Sequence, residues 1–371
     1  MKKIAILGAS YLQLPLVLKA RELGIETHCF AWDNAEAVCK TEADYFYPVS
    51  VLETEKILTA CKAIGIEGIT TIATDICVPT ICAVAEKMKL TANSVWSGFV
   101  STNKSAMREA FVKNRIDSPK FISVNSYDRE TFENFSFPLI VKPTDRSGSR
   151  GVSKVGNHLQ LEAAIEASIS ESLEKKAIVE EFIEGTEVSV ECISWKGQHY
   201  LLAITDKITT GAPHFVELEH HQPSHHTAET QLKIKEATFR ALDALDIAYG
   251  ASHSEFKITE EGKIIAIEVG ARMGGDFIGS HLVQLSTGYD FLKGVLDVAL
   301  NQFETPSSGT GHFSGVYFLC KESESLLPYF EHENSFDFEK KILKTDLHYI
   351  SNSNDRSGYL IYQDSKKITL P

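Results

Sequence analysis

Along the first 92 residues, short apolar runs alternate with segments of helical period. Residues 3–7 read as a strand ending at Gly8-Ala9-Ser10, and residues 12–23 as a helix with Pro15 near its start and Gly24 as its stop. Residues 26–31, 53–64, 68–72 and 76–87 continue the series as strand, helix, strand and helix. Such alternation predicts a small parallel sheet with right-handed crossovers, Rossmann-like in style. A dinucleotide site is disfavoured, because Gly8-Ala9-Ser10-Tyr11-Leu12-Gln13 lacks the second and third glycines of GxGxxG, although Asp33 stands where a ribose contact would be wanted. Asp75 follows the 68–72 strand and so falls at the sheet's carboxyl edge, where a substrate cleft would open.

From residue 93 the pattern changes to α+β. Ser101-Thr102-Asn103 starts a helix over 104–114, and an extended segment follows at 120–124. Residues 137–143 form a strand with Lys142 at its exit, and residues 161–172 form a helix. Residues 177–183, 187–193 and 199–203 read as strands, and 229–245 as an amphipathic helix. The stretch 211–226 carries two prolines and five histidines and reads as a substrate-facing loop. Two β-type runs, 251–258 and 263–269, flank a short turn and predict a β-hairpin. Helical pieces at 282–287 and 290–299 lead to a polar boundary at 302–311. Beyond it lie short β-type runs at 315–320, 347–350 and 358–362. Three units follow: 1–92, 93–301 with a lobe of its own at about 115–185, and a β-rich 302–371.

The hairpin carries the chemistry. Glu255 and Glu268 interrupt apolar runs on its two strands, and antiparallel neighbours can bring such residues together on one face. Two carboxylates on a buried face repel each other unless a cation lies between them, and hard oxygen ligands suit Mg²⁺ or Mn²⁺. Arg272 and Gly274-Gly275 follow, giving a bidentate cation and a backbone that an anion can approach closely. The strand ending at Lys142 runs into Asp145-Arg146-Ser147-Gly148-Ser149-Arg150-Gly151, a Gly/Ser loop whose N–H groups and hydroxyls could cradle phosphates. The bland alternatives are a solvated surface hairpin and a flexible turn.

Composition narrows the classes. The chain of 371 residues has 43% hydrophobic and 23% charged residues and a formal net charge of −13, with no basic stretch to favour nucleic acid. No run approaches the ~20 apolar residues of a membrane span. The seven cysteines lack CxxC pairing, so reduced, mostly buried thiols in a cytoplasmic protein are expected. The histidine spacings in 211–226 do not match a paired structural zinc site.

Taken in order, four pieces resemble the ATP-grasp superfamily: Asn103-Lys104 through Met107-Arg108; Val141-Lys142-Pro143 with the Gly/Ser loop; Val179-Glu180-Glu181-Phe182-Ile183-Glu184-Gly185 with Glu187; and Glu255 with Glu268 and Arg272. The resemblance runs from about residue 3 to 301. It implies a pre-ATP-grasp α/β domain, a two-lobed ATP-grasp fold whose lid is the 115–185 lobe, and a small β-rich C-terminal subdomain. It implies that Lys104 and Lys142 contact the α/β-phosphates of ATP, with Ser147, Gly148, Ser149 and Gly151 in a loop closing over them. The strand Glu180, Glu181, Phe182 and Ile183 would present backbone groups to adenine, and Glu187 would accept from the ribose. Glu255 and Glu268 would hold Mg²⁺, and Arg272 would stabilise an acyl-phosphate and the tetrahedral intermediate.

Within that superfamily the chain is most similar to carboxylate–amine ligases of the L-amino-acid ligase group. Phe215-Val216-Glu217 with His220-His221 and Pro223, and Ala271-Arg272-Met273-Gly274-Gly275, carry this likeness. By it, Glu217 would hold the amino group of a first amino acid, with His220 close to the reacting carboxylate, and Asp276 would line the pocket of a polar or cationic amine. The implied partners are small carboxylate and amine substrates, and a homodimer fits the relatives. The chain departs from the pattern at Glu181, where many relatives have Lys, and at Gly270, where many have Asn. The alternatives are an ATP-grasp enzyme of purine-biosynthetic or carboxylase type using bicarbonate or formate, and a nucleotide-binding regulator without catalysis.

Overall fold

The structure is a computed structural model that describes residues 1–146, 148, 150–307, 309 and 311–371. Among these, sixteen strands form three sheets. The first is parallel: β1 (Lys3–Leu7), β2 (Glu26–Ala31), β3 (Tyr45–Pro48) and β4 (Gly68–Thr70), in the order β3-β2-β1-β4. Helices α1 (Leu14–Glu22) and α2 (Thr54–Ile64) provide crossovers, and α3 (Val78–Met88) follows β4. Pro15 sits in the first turn of α1, where its missing N–H costs nothing. The turn after β1 is closed by Gln13, whose side chain accepts from Ser10 N at 3.1 Å and donates to Ile72 O at 2.7 Å. Asp33 is engaged by Lys40 at 2.8 Å.

After α4 (Val95–Val100) and α5 (Lys104–Lys113) comes a four-stranded lobe, with β5 (Phe121–Val124), β6 (Leu139–Pro143), β7 (Ser153–Val155) and β8 (Ala177–Glu181) in the order β5-β8-β6-β7. Helix α6 (His158–Glu171) packs Leu161 and Ile165 against Leu139, Val141 and Val179. The third sheet is the largest. It contains β9 (Thr186–Trp195), β10 (Gln198–Thr209), β11 (Glu217–Gln222), β12 (Gly250–Ile258), β13 (Ile264–Gly270), β14 (Phe313–Leu319), β15 (Asp337–Ile342) and β16 (Gly358–Asp364). Their order is β13-β12-β9-β10-β11-β14-β16-β15. One face is covered by α7 (Ala228–Ala244), with Ile234, Ala241 and Leu242 against Val188, Val190 and Phe256. The helix Phe291–Ala299 joins this sheet to the parallel one, because Phe291, Val295 and Leu296 share a core with Leu16, Val17 and Ile193. No helix of the described residues is long and apolar enough to cross a membrane.

Three local expectations change. Residues 211–226 are not all loop: Glu217–Gln222 is β11, paired with both β10 and β14, so His220 and His221 lie in a central strand and are 1% exposed. The sequence ELEHHQ has no apolar alternation, yet the strand is held by ladders on both sides, and His221 finds Glu219 at 2.8 Å and Tyr362 at 2.9 Å. Residues 347–350 form no strand, whereas the polar run DFEKKI does, as the edge strand β15. Edge position explains its charge. Finally, β14 and β16 extend the large sheet through β11, so residues 302–371 build no separate sheet.

On β12, Phe256 points away from the Glu255 face and is fully buried under α7. Phe256→Ala is expected to cost about 3–5 kcal/mol of stability, measured by denaturant unfolding; a loss below ~1 kcal/mol would mean that this face does not carry the core.

Candidate active site

The candidate site lies between the β5–β8 lobe and the inner face of the large sheet. Its floor follows from strand register. Directly paired residues of an antiparallel sheet share a face, and one cross-strand row reads His220 on β11, Lys207 on β10, Glu187 on β9 and Lys257 on β12. Two residues along, Glu255 pairs with Glu268 across the hairpin. Acidic and basic side chains are therefore concentrated on a surface that the overlying lobe removes from water.

Lys207 organises this floor. Its side chain is 3% exposed, and Nζ lies 2.6 Å from Glu255, 2.9 Å from Glu187 and 3.5 Å from Glu217. Burial opposes its charge, but Glu187, Glu255 and Glu217 more than offset that and raise its pKa well above the usual lysine value. Glu187 also meets Lys257 at 3.1 Å. Burial works against the Glu255 charge too, yet Lys207 and then His253 hold that carboxyl well below the usual range. His253 hydrogen-bonds Glu191 and lies 3.4 Å from Glu255. Although burial disfavours its charged form, Glu191 and Glu255 raise its pKa to about 9. No sequence pattern marks Lys207, a lone lysine in a strand, and only the register shows its partners.

Further cations of the cleft come from the neighbouring elements. Asn103 caps α5 by accepting from Ala106 N at 3.0 Å, which fixes Lys104 at the first helical position. Lys104 Nζ then reaches Glu268 at 2.9 Å and Arg146 O at 2.7 Å. Lys142 leaves β6 buried and meets Glu180 of β8 at 2.7 Å, and the fully buried Arg108 approaches the other Glu180 oxygen at 2.7 Å. Burial pushes the Lys142 ammonium down, with Glu180 resisting. The Glu180 carboxyl is held below its usual value because Arg108 and Lys142 outweigh its burial.

Glu180 thus serves through its side chain as a counter-ion, where the sequence suggested a backbone role. Glu181 and Phe182 donate their N–H groups to Lys120 O at 3.0 Å and Pro138 O at 3.1 Å. These two N–H groups are therefore already used within the protein. Phe182 offers a ring face, already covered by Lys154 at 3.6 Å. Gly148 and Gly151 both have φ of +69°, and a side chain at 151 would also strike Pro143. Ser147 and Ser149 lie outside the described residues.

On the far side, Arg272 meets Asp75 at 2.8 Å. Burial opposes its charge, but Asp75, Glu191 and Glu268 support it and raise its pKa. Glu217 lies between Lys207 and Arg356, its second oxygen 3.2 Å from the latter. Arg356 stacks on Phe318 at 3.7 Å and also binds Asp276 at 2.9 Å and the Glu217 carbonyl at 2.9 Å. Arg356 went unread in the sequence because it belongs to the C-terminal stretch, 139 residues from Glu217 along the chain. Asp276 is consequently paired with Arg356, as Glu217 is with Lys207 and Arg356. Despite burial, Arg356 and His220 hold its carboxyl below the usual range. His220 is buried 3.9 Å from Asp276, edge-on to Phe318, and burial lowers its pKa. Among the described residues, His225 and His226 converge on Asp206, with ligand atoms within 4.8 Å of one another, and the other three histidines of this stretch do not join them.

The donor set at Glu255 and Glu268 fits a hard divalent cation: two carboxylates on adjacent strands, each now facing an ammonium. Residues 135–280 match the family model described as ATP-grasp domain. In structure the chain resembles the L-amino acid ligase from Bacillus licheniformis (TM-score 0.80, 22% identity, 99% of this chain and 94% of that one). It also resembles an N5-carboxyaminoimidazole ribonucleotide synthetase in its ADP complex (TM-score 0.79, 16% identity, 98% and 93%). The fold is that of the ATP-grasp proteins. Among curated proteins it is similar to the alanine–anticapsin ligase of Bacillus subtilis strain 168, at 26% identity over 306 residues. That match covers 72% of this chain and 64% of the relative, just under two thirds of its length.

Glu180→Gln would leave Lys142 and Arg108 uncompensated and is expected to cost about 3–5 kcal/mol at neutral pH. Because the folded pKa of Glu180 is depressed, its contribution is complete above about pH 4.3 and is lost as pH falls through the lower folded value. Unfolding measured from pH 7 to 3 should show the gap between wild type and variant closing towards acid; a constant gap would mean that the Glu180 charge is not what the variant removes.

Proposed function

We propose that the chain is an ATP-dependent carboxylate–amine ligase that activates one small carboxylic acid as an acyl-phosphate and joins it to an amine, with an amino acid as a substrate. The observation that carries this reading is the continuity of one face: phosphate-side lysines, the Glu255–Glu268 pair, Arg272 and Glu217 line a single cleft. Reactions of this class need charge neutralisation at the phosphates, a cation at the acyl centre and a polar grip on the acid.

Lys104 and Lys142 would bind the α/β-phosphates, and Glu187 with the 180–183 strand the nucleoside. Glu255 and Glu268 would hold Mg²⁺ or Mn²⁺, which when bound neutralises charge on the β/γ-phosphates. The acid's carboxylate oxygen then attacks the γ-phosphorus as the bond to the ADP oxygen breaks. Arg272 would stabilise the charge that develops when the amine adds to the acyl carbon and phosphate leaves. Glu217, its charge shared between Lys207 and Arg356, is placed to accept from the ammonium of a first amino acid. No covalent protein nucleophile is required, so the protein's share is positioning and electrostatics. The seven cysteines are unpaired and buried, which suits a reducing cytoplasm.

The bicarbonate or formate reading has support from neighbours such as the N5-carboxyaminoimidazole ribonucleotide synthetase. A phosphorylated acceptor needs extra basic side chains, however, and residues 211–226 supply no Lys or Arg.

With ATP and Mg²⁺, phosphate release should require two small substrates, and with amino-acid pairs the product mass should equal their sum less water. Glu268→Gln should cut turnover by about 10²–10³-fold while nucleotide still binds. Nucleotide binding with no phosphate release from any amino-acid pair would sink the amino-acid reading and direct the assay to bicarbonate and formate.

A further inference from the structure

The N-terminal α/β unit reaches Arg272 through the loop after β4. The loop after β4 docks on the turn after β13 through two contacts: Ala73 N donates to Met273 O at 3.0 Å, and Asp75 Oδ2 accepts from Arg272 Nη2 at 2.8 Å. Ala73 adopts φ of +59°, an unusual conformation for alanine that shapes the loop to the turn. From the opposite side Glu191, fully buried, accepts from Gly274 N at 2.9 Å. The turn that carries Arg272 is therefore clasped between a residue of the large sheet and a residue of the N-terminal unit.

Gly270 explains how Asp75 fits. A Cβ at position 270 would lie 2.6 Å from Asp75 Oδ1, 3.2 Å from Arg272 Cζ and 3.3 Å from Arg272 Nε. The backbone of Gly270 is not in the left-handed region, so glycine is not required there by φ. What excludes a side chain is the carboxylate–guanidinium pair itself. Asp75 Oδ1 and Arg272 Nε are both buried and have no hydrogen-bond partner among the described residues, and of the carboxylates that support the Arg272 charge Asp75 is the one in direct contact, at 2.8 Å.

We propose that Asp75 is a positioning residue for the ligase reaction, holding the Arg272 guanidinium at the acyl centre from across the domain boundary, and that residue 270 is glycine because the pair occupies the space of a side chain. The inference rests on the ligase reading for what Arg272 acts upon, but the Asp75–Gly270–Arg272 arrangement stands on the geometry. A guanidinium anchored on one edge keeps its remaining donors aimed, which lowers the reorganisation needed when charge develops on the acyl-phosphate and tetrahedral oxygens. Asp75 itself is not required to touch substrate.

The test is a double-mutant cycle on the full chain with Asp75→Asn, Gly270→Ala and the two combined. Three quantities are measured: phosphate release with Mg²⁺-ATP and the productive substrates, the Kd of a fluorescent ATP analogue, and the rate at which phenylglyoxal modifies Arg272, read by mass spectrometry. Each single variant should lower kcat by about 10- to 100-fold, the worth of one charge-assisted hydrogen bond. Nucleotide Kd and the KM for ATP should move by less than about twofold, since uniform binding is untouched. Arg272 should be modified several-fold faster in both variants, and the double variant should be no worse than the worse single one.

Unchanged Arg272 labelling in both variants, a double variant whose loss is the product of the single losses, or a fall in nucleotide affinity equal to the fall in kcat would each overturn the proposal. Should Asp75→Asn fail to fold, Gly270→Ala still decides it. If the wild type releases no phosphate with any substrate, the ligase reading fails, whereas the labelling rates still show whether Asp75 holds Arg272.

Discussion

A buried lysine ammonium surrounded by three carboxylates is the constraint on which the site depends. Glu187, Glu217 and Glu255 come from β9, β11 and β12, and Lys207 of β10 reaches all three. Carboxylates crowded on one low-dielectric face cannot all remain ionised without cations among them. Lys207 allows it, and the same logic repeats around it: Lys104 at Glu268, Lys142 and Arg108 at Glu180, Arg356 at Asp276, and Arg272 at Asp75. The cleft is a lattice of alternating charges in which each ion is held by another element.

That lattice accounts for how the cleft can receive a highly charged ligand. Lys104 and Lys207 are each bound to a carboxylate that suits a divalent cation. On the ligase reading, the phosphates of a nucleotide would take Lys104 and its divalent cation the Glu255–Glu268 pair, with little change in total charge. Removing any one member without its partner is costly, because a buried charge would be left uncompensated.

The same contacts join distant parts of the chain. Asp75 comes from the loop after β4, Lys104 from the helix that precedes the β5–β8 lobe, and Arg356 from the last stretch before β16. The C-terminal residues contribute β14 and β16 to the large sheet, which is how Arg356 comes to lie over Phe318 and beside Glu217. What a linear reading separates into three units is one electrostatic unit at the cleft.

Much of this was legible in the amino-acid sequence, because local rules govern it. Alternating strands and helices gave the parallel sheet, a cap at Asn103 gave α5, and the apolar runs around Glu255 and Glu268 placed both on a hairpin whose register brings them opposite each other. The polar strand β11 was not legible, since its ladders to β10 and β14 hold it in place and not any apolar alternation of its own. Nor were Lys207, Arg356 and the Asp75–Arg272 pair, whose partners are 10 to 197 residues away along the chain. Sequence by itself determined which residues could form strands, caps and charged positions, because those depend on near neighbours. Only the tertiary structure decided which charge faces which, because ion pairing in a buried cleft is set by strand register and domain docking, which bring together residues far apart in the chain.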